Sequence, residues 1–188
     1  IEQSGKLLLS IINNVLDMAR IESGKMKVDE NYAIVGEVID EIISTFSSEA
    51  EERGIHLSGS MKVTHRNILC DGTKIREIYV NLVSNAMKYT PRGGNVTITV
   101  EELPCEKEGY INIKAEIKDT GIGMSKEYLP TLFEPFTRDH NTMTGKFGGT
   151  GLGMPIVKKM IDLMGGSIEV ESKLGKGTVF TFTLMHKI

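Results

Sequence analysis

Asn81, Asn85 and Lys88 are spaced so that their side chains would share one face of a helix, because residues three and four positions apart are neighbours on a helix surface. Asparagine is a mediocre helix former, so two of them in register with a lysine indicate a function. Amide oxygens suit Mg²⁺, which prefers hard oxygen ligands, and a lysine can bind a phosphate as a point charge. The alternative for this stretch alone is a solvated polar face.

Asp119 follows a segment of alternating apolar residues and precedes two glycines, Gly121 and Gly123. Glycines allow the backbone to approach a flat ligand closely. An ionised carboxylate only accepts hydrogen bonds, so it could hold an amino group such as that of adenine. A plain turn is the alternative that so short a pattern leaves open.

A glycine-rich segment, residues 148–153, opens a predicted helix, and exposed N–H groups at a helix N-terminus bind anions. It is not a P-loop, because none of the chain's Gly-Lys pairs is followed by Ser or Thr, and it lacks the G-x-G-x-x-G spacing of dinucleotide sites. A flexible hinge is the alternative. Just upstream, Phe133 and Phe136 could anchor a lid or could be ordinary core residues of a loop.

The elements that would position these residues follow from hydrophobic periodicity and turn signals. Helices are predicted at residues 4–23, 36–53, 73–89 and 151–164, and strands at 55–62, 67–70, 96–103, 110–118, 168–171 and 178–185, with an extended piece at 26–32. Residues 119–153 are irregular apart from a short helix near 126–132, which is typical of a functional lid or of disorder. Short turns between neighbouring strands favour an α+β fold with a largely antiparallel sheet and helices on one face.

Composition excludes several classes of protein. With 188 residues and 40% hydrophobic composition, the chain can form one compact domain plus one appended element. A net charge of −3 without a basic stripe argues against a nucleic-acid partner. Cys70 and Cys105 lack metal-site spacing and are expected to be reduced thiols of a cytoplasmic protein. No apolar stretch approaches the roughly 20 residues that cross a bilayer, so direct membrane contact is not expected.

Taken together, the motifs resemble those of sensor histidine kinases over residues 26–188. The segments that correspond to the family's asparagine box, first glycine box, phenylalanine box and second glycine box read NLVSNAMKYT, DTGIGM, FEPFTR and GGTGLGMPIVKKMIDLMGGSIEVESKLGKGTVFTFTL. The preceding LLLSIINNVLDMARIESGKM is similar to the second helix of that family's dimerisation and histidine-phosphotransfer hairpin. Residues 1–25 are accordingly expected to be part of that hairpin, and 26–188 the catalytic ATP-binding domain.

The resemblance implies a two-layer Bergerat sandwich that binds ATP and Mg²⁺. Asp119 should hold the adenine amino group, Asn85 should ligate Mg²⁺ with support from Asn81, and Lys88 and Tyr89 should face the phosphates or ribose; Asn81, Asn85 and Lys88 form the catalytic set. Further cofactor contacts are implied for Gly121, Gly123, Phe136, Gly149, Thr150, Gly151, Leu152 and Gly153. The implied partners are a response-regulator receiver domain and a second copy of the full-length protein.

The chain departs from the complete kinase pattern in its histidines. None of His56, His65, His140 and His186 is followed by an acidic residue and then Thr-Pro or Asn-Pro. The acceptor histidine is therefore expected on a helix upstream of Ile1, a residue that suggests a fragment because a natural chain starts with Met. The first predicted helix should then keep an unpartnered apolar stripe, composed of Leu8, Ile11, Ile12, Val15 and Met18. Without the first hairpin helix, the stripe is expected to pair with the same helix of a second chain or to fold onto its own domain.

Two other functions remain open at this stage. ATP hydrolases of the same superfold carry a glutamate four residues before the Mg-binding asparagine. Asn81 stands there in this chain, and an amide is a poor general base. The second alternative is an ATP-binding regulatory module without turnover.

Overall fold

The computed structural model describes residues 2–138 and 150–188. Its elements are α1 Glu2–Glu22, β1 Asn31–Ile34, α2 Val35–Arg53, β2 His56–Lys62, β3 Asn67–Cys70, α3 Gly72–Tyr89, β4 Asn95–Leu103, β5 Tyr110–Asp119, a 3-10 helix Leu129–Thr131, α4 Gly153–Leu163, β6 Ser167–Lys173 and β7 Gly177–Lys187. The expected helices and strands are present, with ends shifted by a few residues. Of the extended piece expected at 26–32, only residues from Asn31 onward form a strand. The amide of Asp29 donates to the Asp71 carboxylate and not to a neighbouring strand.

Seven strands form one mixed sheet in the order β1-β3-β7-β5-β4-β2, with β6 also paired to β7. Among the strands in the described ranges, only β2 and β4 run parallel, so the expected, largely antiparallel sheet is confirmed. The long central pair is β5 and β7, in register from Tyr110 opposite Lys187 to Asp119 opposite Thr178. This register places Asp119 at one end of the sheet beside the start of β7.

The core lies between the sheet and the helices. In β5 the alternate residues Ile111, Ile113, Ala115 and Ile117 are buried, whereas the residues between them are partly or fully exposed. This alternation is typical of a sheet with one covered and one solvated face. From α3, the side chains that fill this layer are completely buried: Ile78, Leu82 and Val83. One face of α3 is thus fixed by packing, and its other face is set by the helical period.

The first helix, α1, is only partly covered. Met18 is buried, while Ile12 and Val15 are exposed, as are Leu9 and Leu16. The stripe expected to lack a partner is exposed at Ile12 and Val15, whereas Met18 is buried against the domain, which is one of the two expected outcomes. The side chains of Leu8 and Ile11 lie outside the described set. Within residues 2–138 and 150–188, no helix has the length and apolar character needed to span a membrane.

Candidate functional site

The helix that carries the asparagines, α3, begins at a buried cap. Asp71 accepts hydrogen bonds from the amide of Lys74 at 3.0 Å and from its ammonium at 2.6 Å, and the Asp29 amide adds a third at 2.9 Å. Burial acts to raise the pKa of Asp71, but these donors outweigh it and hold the pKa below its usual range. The cap satisfies an otherwise unpaired amide at the helix start and fixes where α3 begins.

Asn81 and Asn85 face the same way from α3 but are held differently. The Asn81 amide nitrogen donates to the carbonyl of Glu77 at 2.9 Å. Its oxygen is thereby directed at Gly153, where a Cβ atom would lie only 3.0 Å away. The Asn85 side chain makes no hydrogen bond to any residue in the described ranges, so its amide group is available to a ligand. One turn on, the Lys88 ammonium lies 5.0 Å from the centre of the Tyr89 ring.

Asp119 ends β5 and is 6% exposed. Its Oδ1 accepts the amide of Gly121 at 2.8 Å and that of Thr178 at 3.3 Å. Burial raises the pKa of Asp119 to about 6, although these two hydrogen bonds act to lower it. With both amides on Oδ1, the second oxygen, Oδ2, is the one that can accept a hydrogen bond from a ligand.

The glycines after Asp119 permit a close approach between three segments. A Cβ on Gly121 would lie 2.6 Å from the carbonyl oxygen of Tyr89, which accepts the Ile122 amide at 3.2 Å. Gly123 has φ of +66°, and a Cβ there would overlap the carbonyl oxygen of Lys173. Only glycine satisfies both the left-handed backbone and the lack of space.

These groups surround an open cavity of about 490 Å³, a size typical of small-molecule sites. The predicted site residues that line it are Asn81, Asn85, Lys88, Tyr89, Asp119, Gly123, Thr150, Gly151 and Gly153. The structure thus brings together residues from α3, the end of β5 and the start of α4. Gly149 lies outside the described residues.

Three predicted residues lie beside the cavity rather than on it: Gly121, Leu152 and Phe136. Gly121 acts through its amide on Asp119, as described above. Leu152 is buried in the core, and the Phe136 side chain is 71% exposed. The backbone of Phe136, with φ of +64°, donates its amide to the carbonyl of Gly151 at 3.0 Å. The phenylalanine and second glycine motifs therefore meet through main-chain contact.

Several lining residues were not identified by the sequence reasoning: Asn14, Ser84, Ile122, Met124, Tyr128, Arg138 and Thr178. Met124 closes the first glycine motif and Arg138 closes the phenylalanine motif, so motif position could have indicated them. Thr178 lies on the cavity because the pairing of β5 with β7 places it opposite Asp119. Asn14 lies there because α1 packs against the domain. Neither leaves a local signal in the sequence.

Residues 70–188 match the model of the histidine kinase-, DNA gyrase B-, and HSP90-like ATPase family. The chain belongs to this family. It is 34% identical over its whole length to hybrid signal transduction histidine kinase L of Dictyostelium discoideum, of which it covers 11%. It is 33% identical to the signal transduction histidine-protein kinase BarA of Escherichia coli, with 97% of this chain and 20% of BarA covered.

Solved structures agree with this assignment. Full-length ShkA in complex with AMPPNP superposes with a TM-score of 0.81 at 27% identity, covering 99% of this chain and 37% of ShkA. The catalytic domain of histidine kinase ThkA gives a TM-score of 0.67 at 25% identity, with 83% and 95% covered. The expected resemblance and fold class are confirmed: this is an α+β domain homologous to the catalytic domains of sensor histidine kinases. It spans only about a tenth to a third of the relatives in the curated set.

Proposed function

We propose that this chain binds Mg-ATP in the cavity and transfers the γ-phosphoryl group to a histidine of a helix that lies upstream in the full-length protein. Residues 1–25 are then the second helix of the phosphotransfer hairpin and 26–188 the catalytic domain. The observation that carries the proposal is Asp119, a buried carboxylate that lines the same cavity as Asn85 and Lys88.

The adenine amino group fits the geometry of Asp119. Its Oδ1 is occupied by two backbone amides, so Oδ2 is the acceptor for an exocyclic amine. The adjoining side chains Ile122, Met124 and Phe180 give the cavity an apolar lining against which a flat base can pack. An ionised acceptor beside an apolar slot selects a purine with a donor at that position over one with a carbonyl.

The donor set also suits magnesium. Asn85 offers an amide oxygen on the cavity, the ligand type that Mg²⁺ takes alongside phosphate oxygens. When bound, the metal neutralises phosphate charge. Lys88 adds a fixed positive charge on the same helical turn. In such transfers the protein contributes mainly orientation and charge stabilisation.

Position 81 holds an asparagine and no strong base, which suits transfer of the phosphoryl group to a histidine better than to water. A neutral imidazole is already a nucleophile, whereas water needs a base, and Asn81 cannot accept a proton. The carboxylate one turn earlier, Glu77, does not line the cavity. Its pKa is raised chiefly by burial and further by Asp17. These contacts favour the kinase over a hydrolase of the same superfold.

The proposal includes two partners and a location. ThkA, a histidine kinase of the same fold, is known in complex with the response regulator protein TrrA, which supports a receiver domain as a partner of the present chain. The exposed Ile12 and Val15 of α1 support association with a second copy in the full-length protein. A cytoplasmic location follows from the proposed use of ATP.

Trans-phosphorylation tests the proposal directly. The chain is incubated with Mg²⁺, radiolabelled ATP and a separately made helical hairpin that carries the acceptor histidine. Acid-labile label on the hairpin is the expected result. Free phosphate alone would instead support the hydrolase, and neither product would support a binding module. The chain by itself should acquire no phosphohistidine, and stoichiometric label on any of its four histidines would contradict the assignment of the acceptor.

A further inference from the structure

The last residue of α2, Arg53, reaches across to the C-terminal end of α3. Its guanidinium donates to the carbonyl of Met87 at 2.5 Å and to those of Lys88 and Thr90 at 3.3 Å each. Glu49, one turn earlier on α2, holds the same guanidinium at 3.3 Å. One side chain thus binds three of the carbonyls at the end of the helix that carries Asn85 and Lys88.

Carbonyls at a helix C-terminus have no partner within the helix, and together they carry roughly half a negative charge. The same turn lines the cavity through Lys88 and Tyr89. A polyphosphate bound near Lys88 would therefore approach the unfavourable end of the α3 dipole. The Arg53 cation lies directly on the carbonyls responsible and offsets their charge.

The last turn of α3 is also held from the cavity side. The Tyr89 carbonyl accepts the amide of Ile122 at 3.2 Å, and the Thr90 hydroxyl donates to the carbonyl of Ala86 at 2.7 Å. The carbonyls at the end of α3 are thus shared between Arg53 on one side and the first glycine motif on the other. Both contacts therefore hold the backbone of the turn that carries Lys88.

From these contacts we infer that Arg53 is a positioning residue for the nucleotide phosphates: it fixes the turn that presents Lys88 and offsets the negative end of α3. The inference rests on the proposed function, since it assumes that a nucleotide occupies the cavity. The hydrogen bonds of Arg53 go to Glu49 and to the end of α3 and not to Asp119, the side chain proposed to bind the base. The effect of Arg53 should therefore depend on the phosphates and not on the base. The effect of Arg53 on ATP affinity should also weaken as the salt concentration rises, because the Arg53 side chain is 30% exposed and solvent ions can screen its charge.

The test compares ATP, ADP and adenosine as ligands of Arg53→Met, Arg53→Lys and Arg92→Met. Arg92 is a matched control, because its exposed side chain adjoins the same turn, close to Gly54, without the three carbonyl bonds. With Arg53→Met, ATP affinity should fall about tenfold, as for the loss of one charge-assisted interaction, and ADP affinity should fall less. Adenosine affinity, from titration followed by NMR, should be unchanged. Arg53→Lys should recover part of the ATP loss, and Arg92→Met should stay within about twofold of the parent.

Equal losses for ATP and adenosine would show that Arg53 is merely structural and would overturn the inference, as would unchanged ATP affinity in Arg53→Met. If Arg53→Met does not fold, Arg53→Lys decides, because it keeps the charge but cannot bridge three carbonyls. That variant should lose some ATP affinity and no adenosine affinity, and an equal loss for both ligands would overturn the inference. Failure of the proposed function gives a different result: a parent chain without a nucleotide site would not bind ATP at all, and a chain that binds ATP without phosphotransfer would be recognised by the trans-phosphorylation assay and not by these affinities.

Discussion

The two walls of the cavity are built in contrasting ways. The first wall, α3 and the end of β5, presents its polar side chains from elements that are anchored by completely buried residues, such as Leu82 and Ile117. The second wall, residues 124–138 and 150–153, has only a three-residue 3-10 helix before α4 begins. Local bonds hold it, such as the Thr137 hydroxyl on the carbonyl of Thr131 at 2.9 Å.

This contrast assigns different parts of the proposed reaction to different kinds of structure. The groups for the base and the metal are preorganised on the first wall, which lowers the entropy lost on binding. The second wall is anchored in the core at Leu132 and Leu152, but residues 124–138 and 150–152 have no strand or α-helix of their own. Such irregular segments open at lower free energy than a core. Closure around a nucleotide is accordingly expected to involve the second wall, whereas substitutions in the first wall should have the larger effects.

The largest effect is expected at Gly123, which joins the first wall to the β6–β7 turn. In Gly123→Ala the new Cβ overlaps the Lys173 carbonyl oxygen while φ is +66°. The free energy of unfolding should fall by about 3–5 kcal/mol, from the left-handed backbone and overpacking together. Gly175→Ala is the control, because Gly175 has φ of +75° and nothing within 4 Å of its Cβ position, so it should lose only about 1 kcal/mol. Equal losses in urea unfolding would show that the close approach is unimportant.

Asp119→Asn should separate binding from stability. ATP affinity measured by calorimetry should fall about tenfold to a hundredfold, because a charge-assisted hydrogen bond is lost. The melting temperature should not fall. The folded-state pKa is raised to about 6 from 3.8, so the folded protein binds more protons and is destabilised as pH rises through about 6. Asp119→Asn lacks this loss of stability, so its melting temperature at neutral pH should equal or exceed that of the parent.

The pH dependence of ATP binding provides a second test of Asp119. Affinity of the parent should decrease as pH falls through about 6, since protonation removes the ionised acceptor. Asp119→Asn should show a flatter profile. An unchanged ATP affinity in this variant would remove the adenine assignment, and a marked drop in its melting temperature would mean that the charge is needed for folding.

The first wall could be predicted from the sequence in most respects. The i, i+4, i+7 spacing of Asn81, Asn85 and Lys88 specifies one helical face, and the structure places all three on the cavity. The alternation in β5 likewise predicted which residues are buried. These features depend on local periods, which a sequence displays directly.

The second wall could be predicted only in part. The family resemblance implied that Phe136 is a ligand contact, but a motif does not determine the direction of a side chain in an irregular segment, and Phe136 is exposed. Thr178 reaches Asp119 across 59 residues through strand pairing. Asn14 lies on the cavity because a separate helix, α1, packs beside it. Such long-range contacts depend on the whole fold and have no local signature.

Gly153→Ala tests where the two walls meet, and a moderate effect is expected. Its Cβ would lie 3.0 Å from the Asn81 oxygen, so the asparagine must shift and ATP affinity should fall about threefold to tenfold. Gly72→Ala, at the first residue of α3 with nothing within 4 Å, should be neutral. In a double-mutant cycle, Gly153→Ala should cause little further loss of ATP affinity when Asn81 is already replaced by Ala. Strict additivity would show that the clash with Asn81 is not the cause.

The smallest effect is expected at Asn14, which connects α1 to the second wall. Its amide nitrogen lies 3.4 Å from the Thr150 hydroxyl, a long hydrogen bond. Asn14→Ala should therefore change ATP affinity by no more than about threefold. Thr150→Val should cost more, because the same hydroxyl also accepts the Leu152 amide at 3.2 Å. If Asn14 acts only through Thr150, the double variant should equal Thr150→Val alone. A loss in Asn14→Ala as large as that in Asp119→Asn would mean that α1 is part of the preorganised site, and the division into a fixed and a weakly held wall would be wrong.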